Sequence, residues 1–559
     1  MNWRAIERDR AYVLGKLRDG IFDTLEIVTR GAETAFFRYL LGEGDLARLA
    51  ATYPTPRKRE EVPLWVYLSS ELSLRLNASH GFKSFPYVLP CSGLREALGP
   101  EHVRRWESAT GEVRDQWQGF NRKNAYARET VCDPDYLRKV ARDTAPARLE
   151  AWHNHAVAGY YGTLGAYDRD GIFIADGTYL FVPDNPRYEG SEVLLFDEDN
   201  HPVNTEATAH GAEEKPRGLH WERAYRMVAL LHTTWAKDFY LYAGAKALGA
   251  RQSETPWLRR LVDGFVQALG QGVMKVLIHD RGFVDGATVS HNKLDHGVDS
   301  VFPLKRNMQA WDEAWRLADF SSAPWRAYEP AALPQPEEPP QRPESIRTRE
   351  RQRQATRRQK QRRAGKSTHA ASKPKLLKTY AKAIQGLRVW DTCRTPIHVA
   401  AMRDVYDDGR ERGWVLATTL ECRDPIRLRE YYRLRPTIEE RIRQTKCFWD
   451  LSRFRATTFS LIVNQIVFVL MAYSLVQVFL LKTGRQDLAR RVRERLFQEL
   501  RTQEEQTALY CDGRVAFLPP LEYQEILLSL DEHARRKILA RTRQLRAERS
   551  QPPDKPRRR

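Results

Sequence analysis

The chain contains 559 residues and carries a formal net charge of +19 at pH 7. Its hydrophobic content of 42%, with 14 Trp, 23 Tyr and 21 Phe, excludes a mainly disordered chain and indicates several globular domains. A positive charge this large indicates a polyanionic partner, most often nucleic acid, although ribosomal and membrane-surface proteins also carry it.

The cysteine pattern and the N-terminus both favour a cytoplasmic protein. The six cysteines form no CxxC pair, which argues against a zinc ribbon and against a disulfide scaffold. The first residues, MNWRAIERDRAYVLGKL, are charged from the start and lack the apolar core of a signal peptide. The cysteines are Cys91, Cys132, Cys393, Cys422, Cys447 and Cys511.

Helices are predicted first along the chain, followed by a mixture of strands and helices. Residues 1–150 are predicted to be mostly helical because they contain amphipathic stretches such as RGAETAFFRYLLGEGDLARLAATY. Beyond them, strands and helices follow one another in an order that predicts a mixed α/β sheet. The predicted segments are a strand pair around Gly177 (171–183), a third strand (224–234), a helix opened by Pro256 (256–269) and two further strands (272–283 and 297–307).

The composition changes abruptly in residues 328–375, which are rich in proline and then in arginine and lysine. A cationic run without an apolar face predicts a linker that can lie along phosphates. The segment AGKST is not a P-loop, because Lys360 stands where the motif needs glycine and no strand leads into it. Residues 386–424 are predicted to form a small β-rich hairpin unit around YDDGRERG, and residues 485–559 a charged helical region.

Residues 459–481 are uncharged and long enough to span a membrane. Asn464, Gln465 and Gln477 interrupt the apolar run, and a wholly buried helix of a large domain has the same pattern. We therefore expect a core helix and no membrane partner.

Two aspartates follow apolar strands. Asp176 follows GIFIA and Asp280 follows VMKVLIH, so both are expected at strand ends. A buried carboxylate is costly unless it binds something, although aspartate is also common in turns. Two such residues on one sheet can converge, and a helix packed across the sheet can add a third carboxylate, Glu439. Together they would supply the oxygen ligands that two Mg²⁺ or Mn²⁺ ions need for phosphodiester chemistry.

The helix that would carry Glu439 lies in the segment YYRLRPTIEERIRQTK. Pro436 prefers the first turn of a helix and is expected to push Arg435 out of helical conformation. Only Glu439 and Lys446 would then share a helix face. Taken alone, the segment favours a solvated, salt-bridged surface helix. The residues expected to pack inward are Ile438, Ile442 and Trp449.

Three motifs together resemble those of a large group of bacterial insertion-sequence transposases. The sequence IADGT around Asp176 resembles the first aspartate motif of that group, and IHDRGFVDG around Asp280 resembles the second. The similarity covers roughly residues 165–310 and 386–480. The third motif is the spacing Y-x2-R-x3-E-x6-K, which is met by Tyr432, Arg435, Glu439 and Lys446.

The resemblance implies an α/β protein with an RNase H-like mixed sheet flanked by helices. In that domain Asp176, Asp280 and Glu439 would form a DDE triad that binds two Mg²⁺ or Mn²⁺ ions. The implied enzyme is a metal-dependent endonuclease and strand transferase that cuts double-stranded DNA at transposon ends and joins it to target DNA. Arg281, beside the second aspartate, is either a phosphate contact or part of a structural salt bridge. The further residues implied to contact end DNA are Tyr432, Arg435 and Lys446.

The resemblance also implies an order of domains and a mode of assembly. The helical region 1–150 would bind the transposon ends, and the helical region 485–559 would join two copies into a homodimer on paired ends. The implied location is the bacterial cytoplasm, in association with the nucleoid. The catalytic domain would consist of residues 165–310 and 425–484, separated by the linker 328–375 and the β-rich insertion 386–424.

Two other functions are compatible with the same residues. An inactive copy could act as a DNA-binding repressor of its own element, and a nuclease of the same fold could cleave particular DNA structures without joining them. The intact Asp176, Asp280 and Glu439 favour the active transposase, because a protein that only binds DNA does not need them.

Several histidines and tryptophans have simpler interpretations than a functional one. His153 and His155 are spaced as metal ligands on a strand can be, but a structural role is favoured because no cysteine or third ligand is near. His279 is expected to pack at a strand end. Trp390 and Trp414 could stack on an unpaired base, although core packing is favoured.

Overall fold

The computed structural model describes most of the chain, and the elements below belong to that part. Most of the predicted linker 328–375 lies outside the described residues, as do Cys91, Cys132 and Cys422. The described residues are 3–29, 33–60, 62–85, 103–111, 113–117, 133–197, 201–203, 219–235, 238–328, 374–388, 390–421, 423–500 and 505–549.

The elements are numbered in chain order. Up to residue 163 they are β1 (Trp3–Arg8), α1 (Arg10–Arg18), β2 (Thr24–Thr29), α2 (Glu33–Leu41), α3 (Leu46–Ala51), α4 (Leu64–Leu76), β3 (Val103–Ser108), β4 (Val113–Trp117), α5 (Pro134–Asp143), α6 (Pro146–Ala151), a π-helical segment (Trp152–Val157) and α7 (Ala158–Thr163).

The middle of the chain contains most of the strands. Its elements are β5 (Ile172–Val182), β6 (Glu192–Phe196), β7 (His220–Thr233), β8 (Tyr240–Gly249), α8 (Thr255–Leu269), β9 (Val276–His279), α9 (Gly286–His296), β10 (Asp299–Pro303), α10 (Gln309–Phe320), β11 (Arg326–Tyr328), β12 (Leu376–Leu387), β13 (Ile397–Tyr406) and β14 (Glu411–Thr418).

The C-terminal part is mainly helical. Its elements are α11 (Pro425–Arg433), α12 (Pro436–Phe448), α13 (Phe459–Lys482), α14 (Arg493–Leu500), β15 (Glu505–Cys511), β16 (Arg514–Leu518), α15 (Pro520–Ser529) and α16 (Glu532–Arg549).

The chain divides into two compact units. The first unit comprises Met1–Ala145, Ser460–Ala472 and Phe497–Arg559, and the second comprises Pro146–Phe459 and Tyr473–Leu496. In its described residues the first unit contains a sheet with the strand order β2-β15-β16-β1-β3-β4. The described residues of both chain ends contain helices, but this sheet was not expected, and its strands lie in segments 1–150 and 485–559 that were predicted to be mostly helical. Its strands are short, and strands from opposite ends of the chain pair with each other. No local sequence pattern therefore reveals the pairing.

Buried polar contacts explain why the apolar helix α13 carries an asparagine in the part that belongs to the first unit, Ser460–Ala472. In α13, the side chain of Asn464 accepts a hydrogen bond from Arg75 of α4 at 3.1 Å. Arg75 forms a buried ion pair with Glu71 at 2.5 Å. A helix that pairs its amide with a buried arginine is a core helix, as predicted. Of the described helices, α13 alone is long and apolar enough to span a membrane, and 94% of its most apolar window is buried.

The second unit is built on a ten-stranded mixed sheet in the described residues. The order is β11-β12-β13-β14-β10-β9-β5-β7-β6, and β8 also pairs with β7. The strands β5, β9 and β10 are parallel to one another, whereas β7 runs antiparallel to β5. The predicted strands 224–234, 272–283 and 297–307 are confirmed as β7, β9 and β10.

The segment 171–183 is a single strand, so the prediction of a strand pair around Gly177 is wrong. The pairing of β5 with β7 runs without interruption from Ile172 opposite Thr233 to Val182 opposite Arg223. Gly177 therefore makes no turn. Its missing side chain instead leaves space for the carboxylate of Glu254, which approaches it closely.

Helices pack against this sheet and enclose its hydrophobic core. The predicted helix 256–269 is confirmed as α8, which packs against β5, β7 and β9 through residues such as Val262 and Phe265. A mixed sheet flanked by helices in this arrangement has an RNase H-like fold, as predicted.

The β-rich insertion extends the same sheet. The predicted hairpin around YDDGRERG is confirmed by the pairing of β13 with β14. Because β14 also pairs with β10, the insertion continues the main sheet instead of forming a separate layer. The helix α10 covers it through an apolar cluster that includes Ala310, Val399 and Val415.

Candidate active site

Two aspartates lie side by side on neighbouring parallel strands. In the pairing of β5 with β9, Ala175 is opposite His279, so the next residues on the two strands are Asp176 and Asp280. Neighbouring strands lie about 4.8 Å apart, which brings the two carboxylates together. Asp280 follows the last residue of β9, as predicted. Asp176 was expected at a strand end but lies inside β5, because β5 continues beside β7 after β9 has ended.

The third carboxylate belongs to Glu439 on α12. The backbone before that helix differs from the prediction. Arg435 has φ −55° and ψ −43°, which is helical, so the expectation that Pro436 pushes it out of helical conformation is wrong. Leu434 is also helical, and α11 therefore passes into α12 without an extended residue between them. We attribute this to the ion pairs of Arg435, which outweigh the steric preference against helical backbone before proline.

Arg435 bridges the three carboxylates of the predicted triad. Its Nη2 atom lies 3.5 Å from Oδ1 of Asp176 and 3.6 Å from Oδ2 of Asp280. Its Nη1 atom forms an ion pair with Oε1 of Glu439. One guanidinium thus lies among three carboxyl groups, and the structure brings together the three acidic residues that the sequence predicted. The residues expected to pack inward are also as predicted, since Ile438 and Ile442 of α12 and Trp449, which follows it, are buried.

The surroundings of Asp176 raise the pKa of its carboxyl group strongly. Burial raises the pKa of Asp176 to about 7, and the negative charges of Glu439 and Asp280 act in the same direction. The guanidinium of Arg435 and a hydrogen bond from the Gly177 N–H oppose the rise but do not cancel it. Asp176 therefore holds its proton more tightly than an ordinary aspartate and loses it when more positive charge arrives.

Lys446 lies two turns after Glu439 and contacts the same strand as Asp176. Its Nζ atom donates hydrogen bonds to Oγ1 of Thr178 and to the carbonyl oxygen of Tyr179, both at 2.6 Å. Burial lowers the pKa of the Lys446 ammonium to about 8, although the negative charge of Asp176 opposes this. Lys446 is therefore a half-buried cation next to the carboxylate cluster.

A cleft of about 790 Å³ opens beside the carboxylates. Tyr432 lines it, and burial raises the pKa of the Tyr432 phenol to about 12, so its hydroxyl group stays protonated and can donate a hydrogen bond. Trp414 also lines it, with its ring 6.1 Å from that of Tyr432 and its indole N–H donating to Asp404 at 2.9 Å. The walls of the cleft carry more positive than negative side chains, with Arg281, Arg306, Arg412, Arg429, Arg433 and Arg435 beside Asp280, Asp404, Glu411 and Glu439.

The chain matches a known family over the segment that contains this site. The family described as Transposase DDE domain matches residues 169–475, which is more than half of the chain. The chain belongs to this family. No curated protein matches the chain. The match confirms the resemblance to insertion-sequence DDE transposases, whereas membership of the Y-R-E-K group stays a prediction.

The carboxylates of this transposase fit the divalent metal ions that the family uses. Asp176, Asp280 and Glu439 offer only carboxylate oxygens, which are the ligands preferred by hard cations such as Mg²⁺ and Mn²⁺. All three converge on the guanidinium of Arg435, so positive charge is needed at this point of the structure.

A fourth carboxylate near the transposase site was missed by the sequence analysis. Glu254, just before α8, forms an ion pair with Arg226 at 2.7 Å and fills the space beside Gly177. Burial raises the pKa of Glu254, the charge of Asp280 adds to the rise, and Arg226 opposes it. Its position follows from the packing of α8 on β5, and no motif around SETPW could have revealed it.

The other histidines and Trp390 are placed as the simpler interpretations predicted, whereas core packing was wrong for Trp414. His153 is buried, and its burial lowers its pKa to about 4, whereas His155 is exposed. His279 stacks on the ring of Phe302 with centroids 5.0 Å apart. Trp390 packs in the apolar cluster of the insertion, but Trp414 reaches the cleft.

Proposed function

We propose that this transposase cuts DNA at the two ends of its insertion sequence and joins those ends to target DNA. The site for both steps is formed by Asp176, Asp280 and Glu439, which hold two Mg²⁺ or Mn²⁺ ions. The observation that carries the proposal is the convergence of these three carboxylates on Arg435 at one end of a basic cleft.

The carboxylates differ in exposure in a way that suits this task. The side chain of Asp176 is 13% exposed, that of Asp280 is 35% exposed and that of Glu439 is 50% exposed, so the cluster opens from the sheet towards solvent. Two divalent ions in this place would activate water or a DNA 3′-hydroxyl group and stabilise the leaving oxygen of the phosphodiester. Asp176 gives up its proton as the ions bind, because the added positive charge favours its ionised form.

Arg435 has a second role once the carboxylates are neutralised. In the structure its guanidinium balances part of their negative charge. When metal ions neutralise the carboxylates instead, the planar guanidinium is available to donate two parallel hydrogen bonds to a DNA phosphate. Arg435 would thus alternate between the carboxylates and the DNA strand that is cut.

The other predicted DNA contacts surround this point. Arg281 is exposed at the mouth of the cleft, next to Asp280, and suits a phosphate contact. Tyr432 offers a hydroxyl donor and a ring face for a base. Lys446 places a positive charge beside β5, where it favours the approach of the phosphate that is to be cut.

The assembly follows from the need to handle two DNA ends. A homodimer on paired ends brings two such sites together, with residues 485–559 as the interface and residues 1–150 as the end-binding region. The positive charge of the linker 328–375 suits binding to DNA phosphates. The protein acts in the bacterial cytoplasm, associated with the nucleoid.

A cutting and joining assay tests the proposal. Full-length protein is incubated with a duplex that carries the DNA flanking its gene and with a target plasmid, in Mg²⁺, in Mn²⁺ or in EDTA. We expect metal-dependent cuts at a defined end, followed by plasmids that carry the duplex. Cuts without joined plasmids would replace the proposal with a structure-specific nuclease. Binding without cuts in either metal would replace it with a DNA-binding repressor.

A further inference from the structure

A second group of potential metal ligands lies between α8 and α9, outside the carboxylate site. It consists of Asp263 on α8 and of His291 and His296 on α9. One ligand atom from each residue lies within 4.8 Å of the others. Both imidazoles direct their Nε2 atom at the same oxygen, Oδ1 of Asp263, at 2.6 Å for His291 and 2.7 Å for His296.

A further carboxylate, Asp295, determines where His291 carries a proton. The Nδ1 atom of His291 lies 2.5 Å from Oδ2 of Asp295. Two lone pairs at this distance would repel each other, so Nδ1 carries the proton and donates it to Asp295. Arg259 lies farther from the same atom, at 3.2 Å, and cannot donate to it in this state.

The Nε2 atom of His291 then has two possible states. It can carry a second proton, which makes the ring an imidazolium ion paired with Asp263. Otherwise its lone pair is free for a cation, which would take the place of that proton and separate the two ligand atoms as far as metal bonds of about 2 Å require. With Nδ1–H bound to a carboxylate and Nε2 directed at the ligand group, His291 has the arrangement that metal-ligating histidines commonly show in proteins.

We propose that Asp263, His291 and His296 form a binding site for one Zn²⁺ or a similar first-row transition-metal ion. The ligand atoms are Oδ1 of Asp263 and Nε2 of both histidines, and water completes the coordination. Two imidazoles and one carboxylate suit Zn²⁺ better than Mg²⁺, which prefers oxygen ligands alone. The site is therefore chemically distinct from the three-carboxylate site.

The position of the site indicates what the ion does. The helix α9 starts at Gly286, shortly after Asp280, and His291 and His296 lie on this helix. Asp263 lies on α8, which packs under β5 and β9. An ion held by both helices fixes α9 against α8 and thereby stabilises the connection that carries Asp280. It is a structural ion, and its effect on cutting is indirect.

Metal binding by full-length protein, measured after chelation and dialysis, tests this proposal. The protein is loaded with Zn²⁺ or Co²⁺ in excess Mg²⁺, which occupies the three-carboxylate site. We expect one tightly held Zn²⁺ per chain, a Co²⁺ absorption spectrum with nitrogen ligands, and a higher melting temperature with Zn²⁺. All three should be lost in the double variant His291→Ala/His296→Ala and kept in His533→Ala, which removes an exposed histidine of α16.

Asp295→Asn provides a milder test that leaves all three proposed ligands in place. Loss of its carboxylate should weaken Zn²⁺ binding by about 10-fold or more, because the orientation of His291 is no longer fixed. Equal Zn²⁺ retention in the double variant and the wild type would overturn the proposal. So would the absence of retained Zn²⁺ in folded wild-type protein, which would leave an imidazolium–carboxylate cluster as the explanation.

Discussion

The Nη2 atom of Arg435 lies 3.5 Å from Oδ1 of Asp176, yet the pKa of Asp176 is raised to about 7. A single guanidinium is therefore too little positive charge for a buried carboxyl group that also has two carboxylate neighbours. This shortage of positive charge is what makes the site suited to divalent cations, and it leads to a prediction about pH.

The variant Asp176→Asn should gain stability over the wild type as pH rises, when both are free of divalent metal. The folded state holds the Asp176 proton up to about pH 7, whereas the unfolded chain loses it near pH 4, so the wild type loses unfolding free energy between these values. From pH 5 to pH 8 the unfolding free energy of the variant should rise relative to that of the wild type by on the order of 2 kcal/mol. Denaturant unfolding of both proteins at both pH values measures this difference. The exposed Asp170→Asn is the control, and identical pH profiles for both variants would contradict the raised pKa.

The variant Gly177→Ala should lose cutting activity, because the added methyl group would overlap the carboxylate of Glu254. Arg226 holds that carboxylate at 2.7 Å, so the strain passes to β5 and displaces Asp176. Small displacements of catalytic groups cost up to about 100-fold in rate. The rate of end cutting measures the effect, and Glu254→Ala should partly restore it in the double variant.

Gly159→Ala is the control for this substitution. Nothing lies within 4 Å of a methyl group added there, and the position is helical, so stability should rise slightly and cutting should not change. Wild-type cutting by Gly177→Ala would show that the space beside Gly177 is not required.

The variant Lys446→Met should bind end DNA more weakly at neutral pH and with a smaller dependence on salt. If Lys446 pairs with one phosphate, the slope of log K against log salt should fall by about one. Because burial lowers the pKa of Lys446 to about 8, the wild type should lose this advantage as pH rises through that value, whereas the variant should not change. Titrations of labelled end duplex at several salt concentrations and pH values measure both effects.

Arg443→Met serves as the comparison for Lys446. Arg443 lies on the same helix but forms an ion pair with Glu440 at 2.7 Å, away from β5. An unchanged salt slope in Lys446→Met would mean that its hydrogen bonds to Thr178 and Tyr179 are purely structural.

The sequence revealed the residues of the site better than it revealed their geometry. Asp280 and the strand before it could be predicted because an apolar run ends in charge. Asp176 could be found by the same pattern, but its position inside β5 could not. The strand continues beside β7 after β9 has ended, and the sequence does not reveal these unequal strand lengths. Arg435 is helical and forms ion pairs with Asp176 and Asp280, which are distant in sequence, whereas the local rule for residues before proline predicted the opposite.

The parts that could not be predicted depend on long-range contacts. Glu254 reaches Gly177 only because α8 packs under β5, and nothing in its neighbouring residues marks it. The sheet of the first unit pairs β1 with β16 from the other end of the chain. Apolar periodicity, by contrast, correctly identified α8 and the inward face of α12, because each pattern is complete within one helix.

The most direct test of the catalytic site compares two adjacent glutamates of α12 in a metal-dependent cutting assay on end duplex. Glu439 forms an ion pair with Arg435 in the carboxylate cluster, whereas its neighbour Glu440 forms an ion pair with Arg443. Glu439→Gln should bind the duplex and fail to cut it in Mg²⁺ or Mn²⁺, and Glu440→Gln should cut like the wild type. Cutting that persists in Glu439→Gln would show that the third carboxylate of the site has been wrongly assigned.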